Sequence, residues 1–177
     1  MTTPVWSIRR LPALDDAHID ALADVLIDCV AGGASVSFLH PLSRAKAEAF
    51  WRGIAAGVAR GERALLVAED EAGAIVGTVQ VLLHQPENQP HRGDVAKMLV
   101  HRRARRLGLG ARLLAAAEAA ALAAGKTLLV LDTVSGSDGD RLYARHGWQA
   151  LGRIENYALW PNGEPCAATI FFKHLAP

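Results

Sequence analysis

The chain has 177 residues, about half of them hydrophobic and 21% charged, which is the size and composition of one globular domain. Its 19 basic and 18 acidic residues leave a net charge of +1, which gives no reason to expect a nucleic-acid partner, and its two cysteines exclude a disulfide framework. The sequence has neither an apolar signal-peptide core near its start nor an uncharged apolar stretch of about 20 residues. We therefore expect a single domain over residues 1–177, located in the cytoplasm and without a membrane segment.

The first half of the chain predicts a strand, two helices and a strand hairpin. The segment VWSIRRL is typical of a strand, and apolar residues at helical spacing in DDAHIDALADVLIDCVAGG predict a helix that Gly32 and Gly33 end. A second helix is predicted in PLSRAKAEAFWRGIAAGVARG, with Ser43 as N-cap and Trp51 on its buried face. The segments RALLVAED and AIVGTVQVLLH flank a short turn and predict an antiparallel pair.

The second half of the chain predicts two helices between four further strands. The strand DVAKMLVH leads into a long helix from about Gly108 to Ala124, and the continuously apolar TLLVLDT predicts a strand covered on both faces. A short helix in DRLYARHG precedes two strands, WQALGRIENYAL and ATIFFKHL, which a Pro- and Gly-containing turn joins. This order of elements predicts a mixed α/β domain with about four helices around one sheet.

The segment RRLGLGARLL combines positively charged side chains, glycines that leave the backbone uncovered, and the predicted start of a helix. A helix N-terminus offers unpaired N–H groups and the positive end of the helix dipole, while Gly108 and Gly110 allow a ligand close to the backbone. Arg105 and Arg106 add donors suited to phosphate oxygens, so the segment favours a phosphate or diphosphate site. The alternative is an ordinary helix start with solvated arginines. A dinucleotide fingerprint fails because Leu113 stands where it needs a third glycine.

The longer segment MLVHRRARRLGLGARLL resembles the acetyl-CoA-binding motif of the GNAT family of N-acetyltransferases. In that motif an apolar residue and Val are followed by Arg or Gln, and then by two spaced small residues, the places held here by Arg105, Gly108 and Gly110. LLVLDT and RLYARHGW resemble the later strand and helix of the family, and AGGASVSF, LDT and TIFFK look like its tabtoxin-resistance type. The resemblance implies a GNAT fold with a mostly antiparallel twisted sheet. It also implies acetyl-CoA as co-substrate, without a metal.

The resemblance further implies how coenzyme A is held. Its diphosphate is expected on the backbone amides from Arg106 to Gly110, and its pantetheine arm beside the strand that ends at Val100. The Leu99 amide is the candidate donor to the thioester carbonyl. Where the family often has Asn, seven residues before the tyrosine, this chain has Gly136, so Ser135 or Ser137 is expected to substitute. The expected cofactor-binding residues are Met98, Leu99, Val100, Arg105, Arg106, Leu107, Gly108, Leu109 and Gly110.

Two catalytic side chains are implied. Tyr143 holds the family's place for the general acid, and a phenol with the ordinary pKa near 10 is protonated at neutral pH. Asp132 ends an apolar strand, where a partly buried carboxylate in the cleft would take a proton from the amine or bind it as ammonium. From the residues alone, Tyr143 is better explained as a core tyrosine, and a cap of the following loop is the alternative for Asp132. Glu69 is a second candidate base, ahead of His84 and His101.

The loop GGASVSF is expected to border the acceptor pocket, with Ser35, Ser37 and Phe38 lining it together with Asp132. Its alternative is a plain turn between helices. The expected activity is direct transfer of an acetyl group from acetyl-CoA to a small-molecule primary amine in a ternary complex. A protein N-terminus or lysine as acceptor, and a non-catalytic sensor of coenzyme A, are the alternatives. We expect a monomer or homodimer that binds neither nucleic acid nor membrane.

Overall fold

The structure, a computed structural model, describes residues 5–176. The order of elements is the one predicted, with seven strands and four α-helices in that range, and the only unpredicted element is a single 3-10 turn, Arg102–Ala104. The elements are β1 (Ser7–Leu11), α1 (Asp16–Ala31), α2 (Arg44–Ala59), β2 (Arg63–Glu69), β3 (Ile75–Leu82), β4 (Arg92–Val100), α3 (Leu109–Ala123), β5 (Leu128–Val134), α4 (Asp138–Arg145), β6 (Gln149–Leu159) and β7 (Pro165–His174).

The strands form one sheet in the order β1-β2-β3-β4-β5-β7-β6. Every neighbouring pair is antiparallel except β4 and β5, so the prediction of a mostly antiparallel sheet is confirmed. The parallel pair is short: only Arg92 to Asp94 align with Leu128 to Val130. Beyond that point β4 and β5 separate, while β5 stays paired along its whole length with β7 on its other edge. The separation opens a cleft in the middle of the sheet.

Helices cover the two faces of the sheet unequally. Helix α3 packs on one face through Leu113, Leu114 and the alanines of its buried stripe, in a core that extends to Phe171. Helices α1 and α2 cover the other face over β2, β3 and the end of β4, where Trp51 is fully buried as predicted. Within residues 5–176, no helix combines the length and apolar character needed to cross a membrane. The two layers hold the end of β4 from both sides and leave the cleft beside it.

The helix N-termini differ in how their amides are satisfied. Asp15, Ser43 and Ser137 cap α1, α2 and α4, each accepting a hydrogen bond from a backbone amide in the first turn. Such caps satisfy amides that no residue within the helix can pair. Helix α3 instead begins at Gly108, which has no side chain to serve as a cap. Its first-turn amides are therefore available to a ligand.

Candidate active site

The cleft between β4 and β5 contains a cavity of about 720 Å³. Its wall is formed by the end of β4, the turn and first residues of α3, the loop after α1, and α4. Side chains from segments more than a hundred residues apart, such as Ser35 and Trp160, meet there. Nearly all of the expected cofactor-binding residues line this cavity, namely Met98, Leu99, Val100, Arg105, Arg106, Gly108, Leu109 and Gly110.

The turn before α3 is shaped to receive an anion. Arg106 and Gly108 both have left-handed backbone angles, with φ of 61° and 79°, and this conformation directs successive amides toward one concave surface. The uncapped start of α3 adds the positive end of its dipole. Arg105 donates from Nε to the Val100 carbonyl at 2.9 Å, which fixes the turn against β4. Leu107 is 44% exposed and is absent from the cavity wall, so its contribution is confined to the backbone of the turn.

The backbone of β4 presents Val100, and not Leu99, to the cleft. The His101 amide donates to the Val76 carbonyl of β3 at 2.9 Å, and amide directions alternate along a strand, so the Leu99 amide also faces β3. The Val100 carbonyl faces the opposite way, where it accepts from Arg105 and from the Cys29 thiol. The expectation that the Leu99 amide points into the cleft is therefore wrong, and the amide that points there is that of Val100, one residue later. The register between β4 and β3 decides which amide faces the cleft.

Tyr143 is a buried side chain at the cavity wall. It is 5% exposed, and its ring contacts Trp148 and Phe171 at centroid distances of 5.6 and 5.9 Å. Burial raises the pKa of Tyr143 well above its ordinary value, and the negative charge of Asp132 raises it further. The phenol consequently stays protonated at neutral pH, as a general acid requires.

Asp132 is more exposed than expected, and it is absent from the cavity wall that Tyr143 lines. Leu131 is buried under α3, and the alternation of β5 turns Asp132 to the opposite face, which no helix covers at that point. The expectation of a partly buried carboxylate is therefore wrong. The negative charge of Asp132 nevertheless acts to raise the pKa of both Tyr143 and Lys97.

The other candidate bases lie away from the cleft. Glu69 accepts hydrogen bonds from Arg9 at 3.0 and 2.7 Å, and these bonds lower its pKa. It faces a separate cavity of about 620 Å³, which His101 also lines. His101 accepts from the Arg103 amide at 3.2 Å and so caps the 3-10 turn. His84 is absent from the residues that line the cleft. Among these candidate bases, Asp132 is the one whose charge acts on Tyr143.

The loop between α1 and α2 borders the cleft in part. Ser35 lines the cavity, and its hydroxyl donates to the Leu159 carbonyl at 2.6 Å, which ties the loop to the end of β6. Phe38 is absent from the cavity wall and packs edge-to-face on Phe50 at 5.5 Å. Ser37 accepts a hydrogen bond from Lys97 Nζ at 2.9 Å. Nothing in the sequence indicates Lys97, because a single lysine in a strand does not reveal a hydrogen bond to a residue 60 positions away.

Gly136 occupies a tight turn ahead of α4. Its φ is 75°, and its amide donates to the Asp140 carboxylate at 2.7 Å. Asparagine is among the residues that tolerate this left-handed conformation, so glycine preserves the backbone and removes only the side chain. Of the two serines expected to substitute, Ser137 lines the cavity, whereas Ser135 shares a 2.8 Å hydrogen bond with Thr169 and lies outside it.

Comparison with known proteins gives consistent results. The family model described as an acetyltransferase (GNAT) domain matches residues 61–150. A Salmonella typhimurium protein whose structure holds its cofactor acetyl-CoA is similar in fold, with a TM-score of 0.76 at 19% identity over 97% of this chain and 94% of that one.

Two further solved structures have similar folds. A phosphinothricin acetyltransferase from Sinorhizobium meliloti in complex with acetyl-CoA has a TM-score of 0.77 at 17% identity, over 99% of this chain and 90% of that one. A ribosomal-protein-alanine N-acetyltransferase from Brucella melitensis has a TM-score of 0.77 at 21% identity, over 96% and 99%. Because two differently named acetyltransferases match equally well, the fold alone does not identify the acceptor.

Proposed function

The chain belongs to the GNAT family of acetyltransferases, and on that premise we propose that it acetylates a primary amine of a small molecule by direct transfer from acetyl-CoA. The observation that carries the proposal is the uncapped start of α3 at a cleft of about 720 Å³, with the buried phenol of Tyr143 in the same wall. Both described cysteines are free and buried, which is consistent with action in the cytoplasm.

The residues of the cleft fit coenzyme A by their donor chemistry. Backbone amides from Arg106 to Gly110 would bind the diphosphate, and the guanidinium groups of Arg105 and Arg106 would add positive charge. The edge of β4 has no strand beside it after Asp94, so its free amides and carbonyls would pair with the amides of the pantetheine arm. Bound in this way, acetyl-CoA supplies an acetyl group activated as a thioester.

The chain's own groups would then act on the reacting atoms. The Val100 amide, one residue beyond the expected Leu99, would donate a hydrogen bond to the thioester carbonyl and stabilise negative charge on its oxygen. Asp132 would accept the proton that the amine loses as its nitrogen bonds to the acetyl carbon. Tyr143 would give its proton to the sulfur as the carbon–sulfur bond breaks. The action of the Asp132 charge on Tyr143 supports this division between base and acid.

Two measurements on the folded protein test the proposal. Isothermal titration calorimetry should show saturable binding of acetyl-CoA and of CoA. Thiol release should then depend on both enzyme and amine in a panel of amino acids, dipeptides, polyamines, aminoglycosides and a peptide with a free N-terminus. Binding without acetylation of any amine would favour the non-catalytic sensor, and acetylation of the peptide alone would assign a protein acceptor. Absence of binding would refute the proposal altogether.

A further inference from the structure

Lys97 is a half-buried cation that forms no salt bridge within the described residues. Its Nζ donates to the Ser37 hydroxyl at 2.9 Å and lies 5.4 Å above the centre of the Phe50 ring. Among the residues that the structure describes, no carboxylate lies within salt-bridge distance of this ammonium group. A buried charge that is satisfied only by a hydroxyl and an aromatic face is energetically costly. The arrangement therefore suggests that an anion from outside the chain completes it.

The backbone around Lys97 is held in an unusual conformation. Lys97 has a φ of 51° and Ser37 a φ of 78°, although neither residue is glycine. Lys97 lies in the irregularity between β3 and β4, which breaks the alternation of the strand. Strained residues of this kind concentrate at sites where the position of a side chain matters. Both members of the Lys97–Ser37 contact share this property.

Further unpaired donors lie beside Lys97 on the same part of the sheet. Gln80 pairs in register with Ala96, is fully buried, and has no hydrogen-bond partner for its Nε2 atom within residues 5–176. Arg63 donates from Nη1 to Gln80 Oε1 at 3.2 Å. Burial lowers the pKa of Lys97, the negative charge of Asp132 opposes this effect, and the positive charge of Arg63 adds to it. This surplus of donors suits an acceptor group such as a carboxylate.

The position of Lys97 relates it to the proposed reaction centre. Met98 and Val36, the chain neighbours of Lys97 and Ser37, line the cleft cavity. The negative charge of Asp132 acts on Lys97 as well as on Tyr143. A positive group and a negative group that interact in this way complement a small zwitterion.

Building on the proposed function, we infer that the acceptor is an amino acid or a similar small amine that carries a carboxylate. Lys97 binds that carboxylate together with Ser37, and the amino group lies toward Asp132. Polyamines and aminoglycosides, which carry no carboxylate, are poor acceptors on this basis. Lys97 is a specificity-determining residue and takes no part in the chemistry.

The first test uses the unmodified protein and matched acceptors. Thiol release from acetyl-CoA is measured with the proteinogenic α-amino acids and, for each active one, with its decarboxylated amine and its carboxamide. The inference predicts a kcat/KM that is on the order of tenfold or more higher for the amino acid, because only it supplies a charged partner for Lys97. An equal or higher value for the decarboxylated amine or the carboxamide would overturn the inference and leave the proposed function intact.

The second test changes the cation. Lys97→Met should raise KM for the amino acid about tenfold or more, with a smaller effect on kcat, on KM for the decarboxylated amine and on the Kd of acetyl-CoA. Lys97→Arg keeps the charge and should restore part of the loss. Lys46→Met is the matched control, because Lys46 also lies over an aromatic ring, at 5.8 Å from that of Phe38, but is exposed.

The outcomes separate the two proposals. An unchanged KM for the amino acid in a folded Lys97→Met variant would overturn the inference. If that variant loses acetyl-CoA binding, it is misfolded, and the comparison of acceptors on the unmodified protein decides. If the unmodified protein binds acetyl-CoA but acetylates no amine in the wider panel, the proposed function fails and the inference fails with it.

Discussion

Replacing Tyr143 by phenylalanine removes a single oxygen atom from the proposed reaction centre. The ring keeps its contacts with Trp148 and Phe171, because phenylalanine has the same shape. Within residues 5–176 the hydroxyl has no hydrogen-bond partner whose loss would cost stability. Tyr157, the second tyrosine, is 47% exposed on the edge strand β6 and provides the matched control, Tyr157→Phe.

The size of the effect follows from the role of the phenol. A positioned general acid contributes about 10²- to 10⁴-fold to a rate, so kcat should fall by that factor in Tyr143→Phe. The Kd of acetyl-CoA should change little, since the proposed contacts with the coenzyme come from backbone amides. The free energy of unfolding should change by less than about 1 kcal/mol, because the packing is retained and no hydrogen bond is lost.

The pH dependence adds a second readout. Burial raises the pKa of Tyr143 well above the value near 10 of an exposed tyrosine, and Asp132 acts in the same direction. Deprotonation removes the acid, so a tyrosine of ordinary pKa would lose half its activity near pH 10. The raised pKa predicts that activity limited by Tyr143 persists beyond about pH 10.

Steady-state thiol release from about pH 7 to about pH 11, calorimetry with acetyl-CoA and urea unfolding together measure these quantities. Tyr157→Phe should match the unmodified protein in all three. An unchanged kcat in Tyr143→Phe would remove Tyr143 from the mechanism. A fall in kcat accompanied by an equal loss of coenzyme affinity or of stability would assign it a structural role.

Two further predictions concern the base and the diphosphate turn. Asp132→Asn removes the proposed proton acceptor, so it should depress kcat and alter the acid side of the pH–rate profile. An unaltered profile would point to another base. The same change should also lower the pKa of Lys97, since the charge of Asp132 raises it. Gly108→Ala places a Cβ on a residue with a φ of 79°, so the free energy of unfolding measured in urea should fall by about 1–2 kcal/mol. The distorted turn should also weaken acetyl-CoA binding in calorimetry. Gly108→Asn should lose less of both, because asparagine tolerates this conformation, and equal losses in the two variants would show that strain is not the cause.

The sequence by itself determined the features that depend on neighbouring residues. Helical periodicity and caps such as Ser43 predicted the order and type of the elements, because both arise from contacts within one turn of chain. The uncapped start of α3 at Gly108 was predictable for the same reason, because the turn and its glycines belong to one segment. Tyr143 followed from a resemblance in a short motif.

Only the tertiary structure decided the features that depend on pairing between distant segments. The register of β4 against β3 turned the Val100 amide, and not that of Leu99, toward the cleft. Arg9, 60 positions away in the chain, pairs with Glu69, which faces a different cavity from the one that Tyr143 lines. The contact of Lys97 with Ser37 likewise joins a strand irregularity to a distant loop. Such contacts have no local pattern in the sequence, because the free energy that fixes them comes from packing of the whole sheet and its helices.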